Sequence, residues 1–231
     1  DGTEYNAENV DKLTSHIKGE EGTEVTLTIK RGEEVFDVKL LRRNVHLKYV
    51  AGEMINDDIG YILISTFDED SAKDFEEEYN KLVGEGAKSL IIDLRGNGGG
   101  LVDEALKIAD LVCEQGETML ITVDKDHKEK VTKSETERKI TMPIAILTNE
   151  ETASASEILV AALKENDKAE IVGERTFGKG VIQELVYLSN GGALKVTASE
   201  YYTPNKNQIN KVGITPDYEI KIDYSNKEVD E

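Results

Sequence analysis

The sequence predicts an α/β fold preceded by a small helix-and-hairpin module, on three observations. From about residue 59, short apolar runs alternate with stretches of helical periodicity, the order expected of a sheet covered by helices. Residues 1–43 lack that alternation and instead pair one helical stretch with two stretches of period two. Hydrophobic residues make up 38% of the 231, enough for one large domain or for one domain with a small partner.

In the first part, Val10, Leu13 and Ile17 lie at helical spacing within 7–18. Val25, Leu27 and Ile29, then Phe36, Val38 and Leu40, alternate as strands around a turn at Lys30-Arg31-Gly32-Glu33. A helix and two strands of this size cannot bury a good core alone. In the second part, 59–64 reads as a strand. A helix follows from Asp70 or Ser71, with Phe75, Tyr79, Leu82 and Val83 on one face and Gly84 closing it. Leu90 to Leu94 is a short buried strand, and the glycine-rich 96–100 leads into a helix with Ala105, Ile108, Ala109, Val112 and Cys113 inward. Strands near 118–123 and 143–148, a helix at 154–165 and a strand at 170–172 continue the alternation. The polar stretch 124–141 interrupts it as an exposed hairpin or loop. Period-two patterning over 181–202 surrounds Ser189-Asn190-Gly191-Gly192, a hairpin signal.

Lys and Arg number 28 against 47 Asp and Glu, a net charge of −19. Such a surface repels phosphate backbones, and no local basic patch relieves it, so nucleic acid is not an expected partner. The charge otherwise serves solubility. Cys113 is the only cysteine, which excludes an intrachain disulfide and a cysteine zinc site. His16, His46 and His127 stand alone in polar surroundings and read as surface residues. No run approaches a membrane span and no signal-peptide pattern opens the chain. The opening Asp1-Gly2-Thr3 reads as the interior of a longer protein.

Three segments can carry chemistry. Thr152-Ala153-Ser154-Ala155-Ser156-Glu157 follows a predicted strand and opens a helix. A serine there exposes its hydroxyl at the turn, and the next N–H is an unsatisfied helix-start donor able to face an oxyanion. Ser154 with Glu157 also fits a helix-capping signature, so both roles stand open. Residues 173–179 match the first positions of a P-loop, G-x-x-x-x-G-K, but Gly180 replaces the required Ser or Thr and a strand-like run follows. What remains is Lys179 between two glycines: either an exposed turn lysine, or one whose amine reaches inward, where burial lowers its pKa and lets it deprotonate a serine. Gln183, four residues on, could orient that amine or simply be solvated. The glycine-rich 96–100 is a tight turn that can also present backbone N–H groups to an oxyanion.

Taken together in chain order, the three segments resemble those of the C-terminal processing peptidases, family S41 of the serine peptidases. The signature D-L-R-G-N-x-G-G is found at 93–100, S-A-S-E at 154–157 and G-E-x-T-F-G-K-G-x-x-Q at 173–183, with Tyr201-Tyr202-Thr203-Pro204 and 213–217 also family-like. The resemblance implies a ClpP/crotonase-like α/β core over 44–231, with 1–43 as the second half of a PDZ domain. It makes Ser154 the nucleophile, in preference to Ser156, with Lys179 the general base and Gln183 its orienting partner. The N–H of Ala155 and that of Gly98 or Gly99 would form the oxyanion hole, Gly98 standing where the family often has proline. It implies an endopeptidase that cleaves near the C-termini of protein substrates through an acyl-enzyme, without cofactor or metal. Substrates would bind through their C-termini, in an enzyme outside the bacterial cytoplasm and compatible with a homo-oligomer. A membrane anchor would lie outside this chain. The competing expectation is an inactive peptide-binding module of the same fold.

Overall fold

The structure is a computed structural model that describes residues 5, 10–44, 47–188 and 191–221. The chain divides into two compact units, Asp1–Leu47 and Lys48–Glu231. His46 and the Ser189-Asn190 half of the hairpin signal lie outside the described residues, while His16 and His127 are exposed.

The first unit holds α1 (Val10–Ile17), β1 (Glu24–Arg31) and β2 (Glu34–Leu41). The strands pair antiparallel with Arg31 opposite Glu34, and Gly32 takes the positive φ that the tight turn requires. Val25, Leu27, Ile29, Phe36 and Val38 are only half-buried, and none of the described residues from Lys12 to Leu47 is buried. Arg42 compensates with polar contacts: its guanidinium donates to the Ile17 carbonyl at 2.6 Å and to the Thr23 hydroxyl at 2.8 Å, tying helix end to hairpin.

The second unit runs β3 (Val50–Met54), β4 (Ile59–Ile64), α2 (Ser71–Glu85), β5 (Ser89–Asp93), α3 (Val102–Val112), β6 (Thr118–Asp124), β7 (Glu129–Lys133), β8 (Ile144–Thr148), α4 (Ala155–Glu165), β9 (Glu170–Gly173), β10 (Val181–Tyr187), β11 (Ala193–Tyr202) and β12 (Tyr218–Glu219). A six-stranded sheet has the order β12-β9-β8-β5-β4-β3, parallel except for β3 at one edge. An antiparallel sheet has the order β10-β11-β6-β7. Strands β4, β5 and β8 are rich in Ile and Leu because helices cover the sheet, and α4 is buried all round from Ala155 to Leu163 because it runs through the core. No helix among the described residues is long and apolar enough to cross a membrane.

The mixed α/β order is the predicted one, with three local differences. Helix α2 passes through Gly84 and closes at Gly86, whose φ of 111° lets its N–H reach the Leu82 and Val83 carbonyls. Gly84 faces open space, which a helix tolerates at modest cost, and Val83 is exposed rather than inward. The stretch 124–141 is not all exposed: β7 joins the second sheet, while Ser134 and Ile140 are buried. Ile140 enters the core because its N–H is captured by the Leu111 carbonyl, a long-range bond that local polarity does not announce.

Candidate active site

Strands β5, β8 and β9 are adjacent and parallel, so their carboxyl ends open on the same edge of the sheet. The loop after β5 is the glycine-rich segment, the turn after β8 leads to Ser154, and the loop after β9 carries Lys179. Topology thus gathers three segments that are far apart in sequence, at the end of an α/β sheet where ligands characteristically bind.

Ser154 is the residue before α4, with φ 60° and ψ −116°. A non-glycine residue rarely adopts positive φ, and one that does marks a sharp, over-determined turn. From Thr152 to Leu163 every residue is buried except Ser154. Ser156, by contrast, is fully buried and its hydroxyl donates to the Asn97 carbonyl at 3.0 Å.

Asn97, also fully buried, fastens this turn to the glycine loop. Its carbonyl accepts the Ala153 N–H at 3.0 Å, its Nδ2 donates to the Ile64 carbonyl at 2.7 Å, and its Oδ1 accepts the Gly99 N–H at 2.9 Å. The Gly99 donor is therefore committed. Among the described residues the N–H groups of Gly98 and Ala155 have no such partner. Gly99 itself has φ +102°, and a Cβ there would stand 2.8 Å from the Ser154 Cβ and 3.0 Å from the Ala155 nitrogen. Only glycine lets the loop lie this close to the serine. Thr152 completes the junction: its hydroxyl donates to the Leu94 carbonyl at 2.8 Å and its own carbonyl accepts the Phe177 N–H at 2.9 Å.

Glu157 is fully buried, and its carboxylate joins the turn to the lysine loop. Oε2 accepts the Ser154 N–H at 2.9 Å and the Lys179 N–H at 2.8 Å. Oε1 accepts the Thr176 hydroxyl at 2.6 Å and the Gly178 N–H at 2.7 Å. Backbones of Ser154 and Lys179 therefore flank one atom. The loop needs its glycines because it runs against 210–213: a Cβ on Gly178 would meet the Val212 nitrogen at 2.9 Å, and Gly180 approaches Asn210 more closely still. No helix follows the loop, since β10 begins at Val181. Phosphate cradling by a P-loop is ruled out on that ground.

Lys179 is exposed, not drawn inward as a desolvated amine would be. Gln183 lies on β10 opposite Thr197, immediately after a register shift, and its side chain falls outside the described residues. Asp93, buried at the end of β5, is held by the Arg95 guanidinium at 2.7 Å and the Tyr61 hydroxyl at 2.6 Å. Burial and the adjacent Asp93 push the Tyr61 phenol up to about 12. Burial likewise pushes the Cys113 thiol up to about 12, so it stays protonated and inert.

Two features of the site escaped sequence reasoning. Glu157 reads as a cap, and nothing local shows that three of its four donors come from the lysine loop. Tyr201 is 1% exposed, donates its N–H to the Gly180 carbonyl at 3.0 Å, and has a buried hydroxyl with no hydrogen-bond partner among the described residues. Burial raises its pKa, the Glu157 charge adds to the shift and the nearby Ser154 hydroxyl opposes it.

Known proteins resemble this chain in sequence and in fold. The model of peptidase family S41 matches residues 58–220. The carboxy-terminal processing protease CtpA of Bacillus subtilis is 36% identical over 219 residues, 94% of this chain and 47% of that protein. A probable CtpA-like serine protease of Staphylococcus aureus is 37% identical over 221 residues, 95% of this chain and 44% of its own length. Among solved structures, the photosystem II D1 C-terminal processing protease superposes with a TM-score of 0.70 at 28% identity, covering 92% of this chain and 59% of that one. The chain spans about half the length of the curated relatives it matches.

Proposed function

We propose a serine endopeptidase of the C-terminal processing type, from the premise that this chain belongs to peptidase family S41. The observation that carries the proposal is Ser154 itself, the one accessible residue in a buried stretch, held at positive φ at the head of α4. In the mechanism, Ser154 Oγ attacks the scissile carbonyl while Lys179 Nζ takes its proton, with Gln183 orienting the amine. The tetrahedral oxyanion is received by the N–H groups of Ala155 and Gly98, which have no partner among the described residues, and not by Gly99, whose N–H serves Asn97. Lys179 returns the proton to the leaving amine, and water then releases the acyl group from Ser154.

The proposal extends to the rest of the protein. Protein substrates present their C-termini, and 1–43 is the second half of a PDZ module, a role supported by its helix followed by an antiparallel hairpin. The enzyme works outside the bacterial cytoplasm, which fractionation of cells expressing the whole protein would check.

Ser154→Ala and Lys179→Ala are each expected to lower cleavage of an unstructured peptide by at least about 10³-fold with circular dichroism unchanged. A serine-reactive probe should label Ser154 in the parent chain. Cleavage by Ser154→Ala at the parent rate would overturn the assignment. A parent chain that neither cleaves nor labels would indicate the inactive module instead.

A further inference from the structure

On the catalytic reading of Ser154 and Lys179, we propose that Glu157 is a positioning residue whose buried carboxylate sets the lysine loop against the nucleophile turn. Capping α4 requires only the bond from the Ser154 N–H. The other three donors, the Thr176 hydroxyl and the Gly178 and Lys179 N–H groups, lie 19 to 22 residues further along the chain and belong to the loop that carries the base.

The chemistry of the donor set demands a carboxylate. All four groups donate, two to each oxygen, and an ionised carboxylate is an acceptor on both. Glutamine would satisfy one pair and turn an NH₂ toward the other. Glu157 is fully buried and, among the described residues, makes no ion pair, so its neutral donors alone offset the cost of burying the charge.

Side-chain packing contributes little to holding the loop. Phe177 is 65% exposed and Lys179 is exposed, so Thr176 is the one large side chain between Arg175 and Gly180 that packs inward. Backbone bonds from Lys211 to Gly178 and between Thr176 and Ile214 fix the loop's outer side. Glu157 ties its inner side to Ser154 itself, beside the bond from the Phe177 N–H to the Thr152 carbonyl. Because Oε2 bonds both backbones, a shift of the carboxylate moves the base relative to the nucleophile, and the N–H bond to Ser154 also braces that residue's positive φ.

The test compares the parent chain with Ser154→Ala, Lys179→Ala, Glu157→Gln, Thr176→Val and Thr176→Ser in one peptide-cleavage assay. A misplacement on the order of 1 Å costs about 10²-fold, so Glu157→Gln should lose about 100-fold in kcat with KM within about two-fold. Thr176→Val, which removes one of four donors, should lose about ten-fold in kcat, and Thr176→Ser should recover most of that loss. If Glu157→Gln does not fold, the Thr176 pair decides. Glu157→Gln within about three-fold of parent kcat, a loss carried by KM, or equal kcat in the two Thr176 variants would overturn the inference. The outcomes separate cleanly from the catalytic reading: that reading fails, and this inference with it, if Ser154→Ala or Lys179→Ala retains activity. Glu157 alone fails if those two are dead and Glu157→Gln is not.

Discussion

At the scale of single residues, the site stores two unfavourable local states side by side. Ser154 sits at φ 60°, a conformation that costs about 1–3 kcal/mol and persists because Asn97 and Glu157 hold the turn from both sides. Tyr201 buries a hydroxyl with no partner among the described residues, and an unmet buried donor carries a desolvation penalty of about 1–3 kcal/mol. Its neighbour Glu157 cannot relieve it, since four donors already fill that carboxylate. Tyr201→Phe keeps the ring and removes the penalty. It should therefore raise stability by about 1 kcal/mol, a Tm increase of roughly 2–4 °C for a domain of this size. A thermal melt reads this directly. A lower Tm would mean that the hydroxyl is paired in solution and that the pairing stabilises the fold.

At the scale of elements, the loops are held by carboxylates as much as by packing, and acid should release them. Burial alone would raise the pKa of Asp110 on α3, yet bonds from the Ser134 and Thr136 hydroxyls and from the Glu135 and Thr136 N–H groups outweigh it and hold the carboxyl below its ordinary value. Burial is likewise outweighed at Asp217, where Lys164 and the Ile171 N–H tie the entry to β12 against α4 and β9. A folded-state pKa below the unfolded one gives stability that is present above the unfolded value, about 4, and lost as pH falls through the folded value. The Tm should thus decline below about pH 4, and Asp110→Asn should be less stable at pH 7 with a shallower acid decline. Melts from pH 7 to pH 3 would show it, and identical slopes in variant and parent would exclude Asp110 as a contributor. The same elements mark what was legible in the sequence. Strands β4, β5 and β8 and helices α3 and α4 were readable because their burial follows from their own periodicity. The closing of α2 at Gly86, the burial of Ile140 and the bonds of Glu157 were not, because each depends on a partner that only the folded chain brings near. Ser154 and Lys179 were readable as candidates, while the exposure of the Lys179 side chain was not, because the loop is held through its backbone and its buried glycines.

At the scale of the whole molecule, buried mass and chemistry both lie in one of the two units. The buried apolar residues begin at Val50 and continue to Ile214, all within Lys48–Glu231, together with every group assigned to the site. In the unit Asp1–Leu47 none of the described residues from Lys12 onward is buried, and its hairpin is joined to its helix through the polar contacts of Arg42. A piece this small that buries so little cannot offset the entropy of ordering its backbone. A chain starting at Lys48 should therefore unfold cooperatively with a Tm within about 3 °C of the parent, and residues 1–47 alone should show no cooperative transition. The serine-reactive probe extends the comparison to function, because Asn97, Gly98, Gly99, Ser154, Ala155, Glu157 and Lys179 all remain in the shorter chain. Labelling at the parent rate would place the competence of Ser154 wholly within the second unit. A folded but unlabelled short chain would mean that the competence of Ser154 depends on the first unit, which the packing of neither unit by itself predicts.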